Sequence, residues 1–213
     1  MSTQKAYDEW SAIYDTNLNK TRDLEAVAAR KMLAPITFRH VLEIGAGTGK
    51  NTVWYLGLAS RIIAVDLSAE MLAKAKEKIG TQHNPECMVE FVQADITQPW
   101  AFGEACHDLV SFSLMLEHIA DLDPVFEEVA KALMVGGHAY VGELHPFKQY
   151  LGSKAKFETA AGEVIVNCFN HHLSDFVSAA QKQGLQLIDV QEFFDDNDRN
   201  GVPRVLGLLF RKG

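Results

Sequence analysis

The sequence predicts an α/β fold, a doubly wound and mostly parallel sheet with helices on both faces. Two observations predict this fold class. Helical and strand patterns alternate from residue 41 to residue 144, as they do in sheets built from β–α–β units. In addition, the apolar segment 41–44 runs directly into a glycine-rich turn and then a helical pattern from Lys50. Such a strand, turn and helix form a ligand-binding edge in open α/β sheets.

Seven strands and six helices account for most of the chain. The strands are predicted at residues 41–44, 61–66, 89–93, 107–113, 136–144, 185–193 and 205–211. Four helices are predicted at 6–15, at 24–33, at 50–58 and from an N-cap at Ser174 to Gln183. A further helix begins at Ser68, and another ends at the stop formed by Gly136-Gly137. A hairpin turned at Ala161-Gly162 lies within residues 147–170, which are long enough to form a lid. Residues 195–201 form a polar turn between the last two strands.

The glycine turn is the most informative motif of the chain. Gly45, Gly47 and Gly49 stand at alternate positions, with Glu43 two residues upstream. Glycine has no Cβ, so a cofactor can approach the backbone closely. A dinucleotide fold requires G-x-G-x-x-G, whose third glycine would stand where Lys50 does. The spacing therefore favours a nucleoside cofactor without a pyrophosphate, and an NAD(P)-dependent oxidoreductase is the alternative.

A second landmark is Asp66, which ends the next predicted strand. A carboxylate at the carboxyl edge of a strand can accept hydrogen bonds from both hydroxyls of a ribose. Ser68 follows directly, so the acid could instead only favour the start of a helix. Its position about one β–α unit after the glycines favours the ribose role.

Glu43 to Gly49 resembles the first motif of the class I S-adenosylmethionine-dependent methyltransferases, and the later landmarks follow in the order of that family. The resemblance implies a Rossmann-like sheet whose seventh strand lies antiparallel beside the fifth. It also implies that S-adenosylmethionine is the cofactor. The implied cofactor-binding residues are Glu43, Gly45, Gly47, Gly49, Asp66, Leu67, Asp95, Ile96, Leu114 and Tyr14.

Within that set, Asp95 is implied to accept from the adenine amino group, while Ile96 packs on the ring. Tyr14 comes from the N-terminal helices, which in small-molecule members of the family lie across the cofactor mouth. Tyr7, Trp10 and Tyr14 also stand at helical spacing, which predicts a packing face. Both roles are compatible.

Three residues are candidates for the chemistry of methyl transfer. His145 ends the fifth strand at the ligand edge, and an ordinary histidine pKa near 6.5 suits a general base. Pro146 follows it, so a strand-ending turn is the alternative. His172, or its neighbour His171, could close over the substrate from the lid, and Glu143 could orient a histidine or hold a cationic acceptor. These residues show no recognisable metal-ligand spacing, and no metal site is predicted.

Composition narrows the class of protein further. The 213 residues are 47% hydrophobic and 23% charged, which is ordinary for one globular domain. The net charge of −8 and the lack of a dense Lys/Arg cluster argue against a nucleic-acid partner. Three widely spaced cysteines, no apolar leader and no membrane-length apolar run predict a cytoplasmic protein without a membrane association.

The prediction is thus a single methyltransferase domain over residues 1–213. It comprises an N-terminal helical cap (1–38), a cofactor-binding core (39–145), a lid insertion (146–172), and a C-terminal helix and strand hairpin (173–213). The expected partner is a small-molecule methyl acceptor reacting at oxygen, nitrogen or carbon, and the chain is expected to be a monomer or a homodimer. A catalytically silent S-adenosylmethionine-binding subunit is the alternative from another class.

Overall fold

A seven-stranded sheet forms the centre of the protein in the computed structural model, which describes residues 2–82, 84–159 and 162–213. Its strands lie in the order β3-β2-β1-β4-β5-β9-β8. Their bounds are β1 His40–Ile44, β2 Arg61–Asp66, β3 Met88–Gln93, β4 His107–Ser113, β5 Leu133–Leu144, β8 Leu185–Phe193 and β9 Val205–Lys212. Strand β9 is antiparallel to both β5 and β8. The predicted seven-stranded, mostly parallel sheet is confirmed.

Helices cover both faces of this sheet. They are α1 Thr3–Trp10, α2 Lys20–Leu33, α3 Lys50–Tyr55, α4 Ala69–Thr81, α5 Asp123–Ala132, α6 Pro146–Tyr150 and α7 Leu173–Lys182. The inner strands β1, β2, β4 and β9 are apolar at consecutive positions because both of their faces are buried. Val41 belongs to the cluster that contains Met32 of α2 and Tyr55 of α3, whereas the next residue, Leu42, belongs to the cluster that contains Phe126 of α5. The core therefore has two layers separated by the sheet.

The boundary between α5 and β5 differs from the prediction. The helix ends at Ala132 and the strand begins at Leu133, which pairs with His107 of β4. The glycines at 136–137, predicted as a helix stop, lie inside the strand. A Cβ on Gly137 would come within 3.1 Å of the His107 carbonyl oxygen, and the pairing register shifts in this region. The glycines thus serve a close strand contact rather than a helix end.

The start of α7 also differs from the prediction. Its N-cap is His172, and Ser174 lies inside the helix. The Asp175 carboxylate accepts a hydrogen bond from the backbone N–H of His172, with 2.8 Å between nitrogen and Oδ2. The start of α7 is therefore determined by Asp175, at the third helical position, and the prediction of Ser174 as the N-cap was wrong.

Helix α1 and the insertion share one cluster of buried apolar side chains, whereas α2 packs on the face of the sheet. Helix α1 is shorter than predicted, so Tyr14 lies in the turn that follows it. Two short strands, β6 Lys156–Thr159 and β7 Gly162–Ile165, pair antiparallel as a hairpin. Ala161 of the predicted turn lies outside the described residues. Trp10 stacks on Phe157 of β6 with 5.0 Å between ring centroids, which attaches the hairpin to α1.

Among the residues described, every helix is too short or too polar to cross a bilayer.

Candidate active site

The glycine turn leaves β1 as a tight loop that opens toward the carboxyl edge of the sheet. The N–H groups of Gly45 and Ala46 both donate to the Val65 carbonyl oxygen at 2.9 Å. Gly45 has a φ of +74°, and a Cβ there would lie 2.7 Å from Cγ of Met115. Gly47 has a φ of +54°, and a Cβ there would project into open space. The first glycine is thus required by the protein's own packing, and the second leaves room for a ligand.

A cavity of about 250 Å³ opens in front of this loop. Eight of the ten predicted cofactor residues line it: Tyr14, Gly45, Gly47, Asp66, Leu67, Asp95, Ile96 and Leu114. The lining residues not predicted as cofactor contacts are Thr3, Gln4, Tyr7, Met71, Ala94, Thr97, Ser113, Met115, His118 and Ile119. We call this space the cofactor cavity.

Asp66 is oriented by the backbone around it. Its Oδ2 accepts from the Gly47 N–H at 2.8 Å, and its Oδ1 accepts from the Ser68 N–H at 2.9 Å. A carboxylate has about four acceptor positions, so the backbone leaves acceptor capacity for ligand hydroxyls. Burial raises the pKa of Asp66 above its ordinary value, while these backbone hydrogen bonds act in the opposite direction.

Asp95 and Ile96 lie together on the other side of the cavity. Asp95 is exposed, and its Oδ1 accepts from both the N–H and the hydroxyl of Thr97, at 3.0 and 2.7 Å. Ile96 is 8% exposed, so its apolar surface lines the cavity without facing bulk water. Asp95 can therefore accept a hydrogen bond from an aromatic ring system, and Ile96 can pack against its face.

Glu43 and Gly49 lie beside the cofactor cavity instead of lining it. Glu43 is buried, and its Oε2 accepts from the Thr52 hydroxyl at 2.6 Å. Burial raises its pKa to about 8. Gly49 is the N-cap of α3. Glu43 does line a small recess next to the cofactor cavity. Tyr14, Gly45 and Leu114 line both spaces.

Glu25, on α2, is a buried acid of this recess that the sequence analysis missed. Its carboxylate accepts from Ser113 at 2.9 Å, from Asn51 at 3.2 Å and from Tyr140 at 3.2 Å. Burial raises the pKa of Glu25 to about 7. No local motif marks this residue, because its partners come from three distant segments.

A second cavity of about 580 Å³ adjoins the first. Tyr7, Tyr14 and Leu114 line both spaces. Leu114 has a φ of +54°, which is rare for a residue with a branched side chain. The walls of the second cavity come from α1, the turn before α2, the start of α2 and the segment 151–156 of the insertion. We call it the acceptor cavity.

The three predicted catalytic residues lie outside the linings of both cavities. His145 is 5% exposed; its Nδ1 accepts from the Phe147 N–H at 3.2 Å, and its Nε2 lies 3.0 Å from Oε1 of Glu192. Burial lowers the pKa of His145, although Glu192 acts against this. His145 is thus the N-cap of α6, because Pro146 begins a helix there.

Glu143 and His172 are also engaged in structural contacts. Oε1 of Glu143 accepts from the N–H groups of Met115 and Leu116 at 2.9 and 2.8 Å, and burial raises its pKa to about 8. Nδ1 of His172 lies 2.6 Å from the hydroxyl of Tyr150 at the surface. The positions of these residues therefore do not support the catalytic roles predicted for them. Glu143 instead holds the segment that lines the cofactor cavity.

Tyr7 and His118 form a hydrogen-bonded pair in the wall of the cofactor cavity. The Tyr7 hydroxyl lies 2.7 Å from Nε2 of His118, and Nδ1 of His118 lies 2.8 Å from the Asn167 carbonyl oxygen. A carbonyl oxygen only accepts, so Nδ1 carries the proton and Nε2 accepts from the tyrosine. Burial raises the pKa of Tyr7 well above its ordinary value, which keeps it protonated. Tyr7 was predicted only as part of a packing face, and no pattern in the sequence connects it with His118.

Glu117 and Cys168 lie next to this pair. Oε1 of Glu117 is 4.0 Å from Nε2 of His118, and the Cys168 sulfur is 3.9 Å from Nδ1. The three residues could approach a common metal ion. However, both ring nitrogens of His118 are already in hydrogen bonds, and burial raises the pKa of the Cys168 thiol to about 12. This cluster is therefore better suited to holding a proton than to binding a metal.

Comparison with known proteins agrees with this geometry. A family profile described as a methyltransferase domain matches residues 42–141. An uncharacterized methyltransferase of Emericella nidulans is 23% identical over 98% of this chain and 84% of its own length. The demethylmenaquinone methyltransferase of Clavibacter sepedonicus is 28% identical over 64% of this chain, which spans 56% of that relative. The solved DhpI complex with S-adenosylhomocysteine is 25% identical, has a TM-score of 0.76, and covers 99% of this chain and 96% of its own.

The fold, the cofactor cavity and these matches together support a class I S-adenosylmethionine-dependent methyltransferase. The chain is an enzyme, and S-adenosylmethionine is its cofactor. The site fits this group, because open space faces Gly47 and the Asp66 carboxylate keeps free acceptor positions. The matched segment 42–141 contains the glycine turn and both acids of the cofactor cavity.

Proposed function

We propose that this enzyme methylates a small molecule bound in the acceptor cavity, and that Tyr7 and His118 accept the proton that the acceptor loses. The observation that carries this proposal is the position of the pair. Both residues line the cofactor cavity, and Tyr7 also lines the acceptor cavity. The bound cofactor supplies the methyl group from a sulfonium, so the protein has to position the acceptor and, for a weak nucleophile, remove a proton.

We assign the cofactor contacts residue by residue. Asp66 accepts from the ribose hydroxyls, Asp95 accepts from the adenine amino group, and Ile96 packs on the adenine ring. Leu114 and Tyr14, which line both cavities and the small recess, lie between the cofactor and the acceptor. Glu43 and Glu25, which are buried at that recess, would hold the remaining end of the cofactor, its amino-acid part.

The proton transfer proceeds along the existing hydrogen bond. The acceptor gives its proton to the Tyr7 oxygen as the Tyr7 proton passes to Nε2 of His118 over the 2.7 Å contact. His118 then carries protons on both ring nitrogens, with Nδ1 still bonded to the Asn167 carbonyl oxygen. The resulting positive charge lies 4.0 Å from Oε1 of Glu117. A carbon or nitrogen acceptor that is already nucleophilic would need only the positioning.

The first experiment is a calorimetric titration of the purified protein with S-adenosylhomocysteine, beside a titration with NADH. We expect binding of S-adenosylhomocysteine alone. Binding of NADH alone would refute the assignment of the glycine turn and every contact built on it.

The second experiment tests turnover. Pools of small acceptors are incubated with the protein and methyl-labelled S-adenosylmethionine, and the transfer of label is measured. Binding without transfer to any pool would favour a catalytically silent cofactor-binding subunit.

A further inference from the structure

The acceptor cavity has an unusual charge for this chain. Among the described residues that line it, Lys20, Lys154, Lys156 and Arg204 are basic, and only Glu117 is acidic. The whole chain carries 28 acidic and 20 basic residues, for a net charge of −8. Most of the surface therefore repels anions, whereas this cavity attracts them.

The basic side chains come from separate parts of the chain. Lys20 begins α2, Lys154 lies in the insertion before β6, and Arg204 directly precedes β9. No charge run in the sequence brings them together, and the fold alone places them around one space. Such convergence is typical of a binding site and differs from a solvated basic segment.

Arg204 is held in place by its neighbours. Its guanidinium bonds to the Asp195 carboxylate, with 2.6 Å between Nη2 and Oδ2, and its Nη1 lies 3.3 Å from the Thr21 hydroxyl. Asp195 offsets part of this charge and also interacts with Lys20, and Lys20 and Lys154 add further positive charge to the cavity wall. Both of these lysines are exposed at the cavity wall.

The start of α2 adds to the same field. Asn19 caps this 14-residue helix by accepting from the Arg22 N–H at 2.9 Å. The N–H groups of Lys20 and Thr21, at the first two helical positions, have no acceptor within the helix. Since Asn19, Lys20 and Thr21 all line the acceptor cavity, the positive end of the helix faces it.

Glu117 adds a second, independent observation at this cavity. The residue is 5% exposed and lines the acceptor cavity, but its Oε2 accepts no hydrogen bond from the described part of the chain. Buried acceptors without a partner are rare and costly. A donor group of a bound molecule would satisfy this oxygen at the end of the cavity next to Tyr7 and His118.

We infer that the methyl acceptor is an organic acid whose carboxylate or phosphate-type group binds between Lys20, Lys154 and Arg204. The inference rests on the proposed function, because it names the substrate class of the same site. The anionic group binds at the cationic wall, and the reacting group lies at the opposite end, near the tyrosine–histidine pair.

The test uses three probes that each contain one phenyl ring and that differ in charge. Phenylphosphonate, benzoate and benzamide are titrated into the protein saturated with S-adenosylhomocysteine. The proteins are the parent, the double variant Lys20→Met/Lys154→Met, and the matched control Lys74→Met, which removes an exposed lysine of α4 outside both cavities. Thermal unfolding checks that all three proteins are folded.

We expect at least one anion to bind roughly tenfold more tightly than benzamide, which corresponds to one charge-assisted hydrogen bond. The double variant should lose this preference, and the control should keep it. The stronger of the two anions then identifies phosphate-type or carboxylate chemistry. Equal binding of all three probes, no binding of either anion, or an unchanged preference in the double variant would overturn the inference.

Failure of the proposed function gives a different result. In that case S-adenosylhomocysteine does not bind, while the lysine-dependent preference for anions is still measurable with the free protein. The two hypotheses are therefore tested separately by one set of titrations.

Discussion

Replacing Asp66 by alanine should weaken the binding of S-adenosylhomocysteine while leaving a folded protein. In the structure the carboxylate accepts from the N–H groups of Gly47 and Ser68 and keeps acceptor positions directed to the cofactor cavity. A hydrogen bond to a charged group contributes about 1.5–3 kcal/mol. If the carboxylate holds the ribose, its loss should weaken binding roughly 10- to 150-fold.

The same substitution also leaves two backbone N–H groups without their acceptor, so a loss of stability could be mistaken for a loss of binding. Asp108 offers a matched control. Its carboxylate accepts from the N–H groups of Arg39 and His40 at 2.8 and 2.9 Å, at the opposite end of the sheet. Asp108→Ala should reduce the free energy of unfolding by a similar amount, about 1–3 kcal/mol, without changing cofactor affinity.

Calorimetry with S-adenosylhomocysteine and urea unfolding of both variants complete the assay. Affinity of Asp66→Ala within about threefold of the parent would refute the ribose assignment, because a threefold change is below the effect of one such hydrogen bond. Equal weakening by Asp108→Ala would show that the effect comes from stability instead of contact.

Three further predictions follow from the site. Tyr7→Phe should lower the rate of methyl transfer to an oxygen acceptor about 100-fold or more, as expected for loss of general-base catalysis, with cofactor affinity nearly unchanged in calorimetry; a fully active variant would exclude the pair with His118. Gly47→Ala and Gly152→Ala both place a Cβ at positive φ in open space, and each should reduce the free energy of unfolding by about 1 kcal/mol. Of the two, only Gly47→Ala should lower cofactor affinity, because Gly47 lines the cofactor cavity and Gly152 does not. Burial raises the pKa of Glu143 to about 8 from an ordinary 4.5, so this carboxyl ionises in the unfolded chain first as the pH rises. The free energy of unfolding should therefore fall from about pH 5 to about pH 8. Glu143→Gln should reduce this fall, measured as urea midpoints against pH, and an unchanged slope would contradict the buried neutral state.

The cofactor half of the site could be predicted because its signals are local. A β–α unit that binds a nucleoside needs glycines and an acid at fixed distances from strand ends, and these distances are set by the chain itself. Gly47, Asp66 and Asp95, all predicted as cofactor contacts, line one cavity. Glu43 also has the predicted place at the end of β1, but its side chain turns to Thr52 beside the cavity.

The chemistry of the acceptor side could not be predicted in the same way. His145 stands at the ligand edge in sequence terms, but Pro146 starts a helix and the imidazole becomes its cap. Tyr7 and His118 are 111 residues apart, and no spacing rule connects them. The structure brings them together because α1 packs across the cavity beside the turn that follows β4.

The sequence by itself thus determined the sheet, its helices and the family of the cofactor site, since hydrophobic periodicity and glycine spacing act over a few residues. Only the tertiary structure decided which side chains face the acceptor. Lys20, Lys154 and Arg204 meet at one cavity through the packing of α2, the insertion and the edge of β9. Their joint charge depends on distances in space, which are set by packing between segments that are remote along the chain.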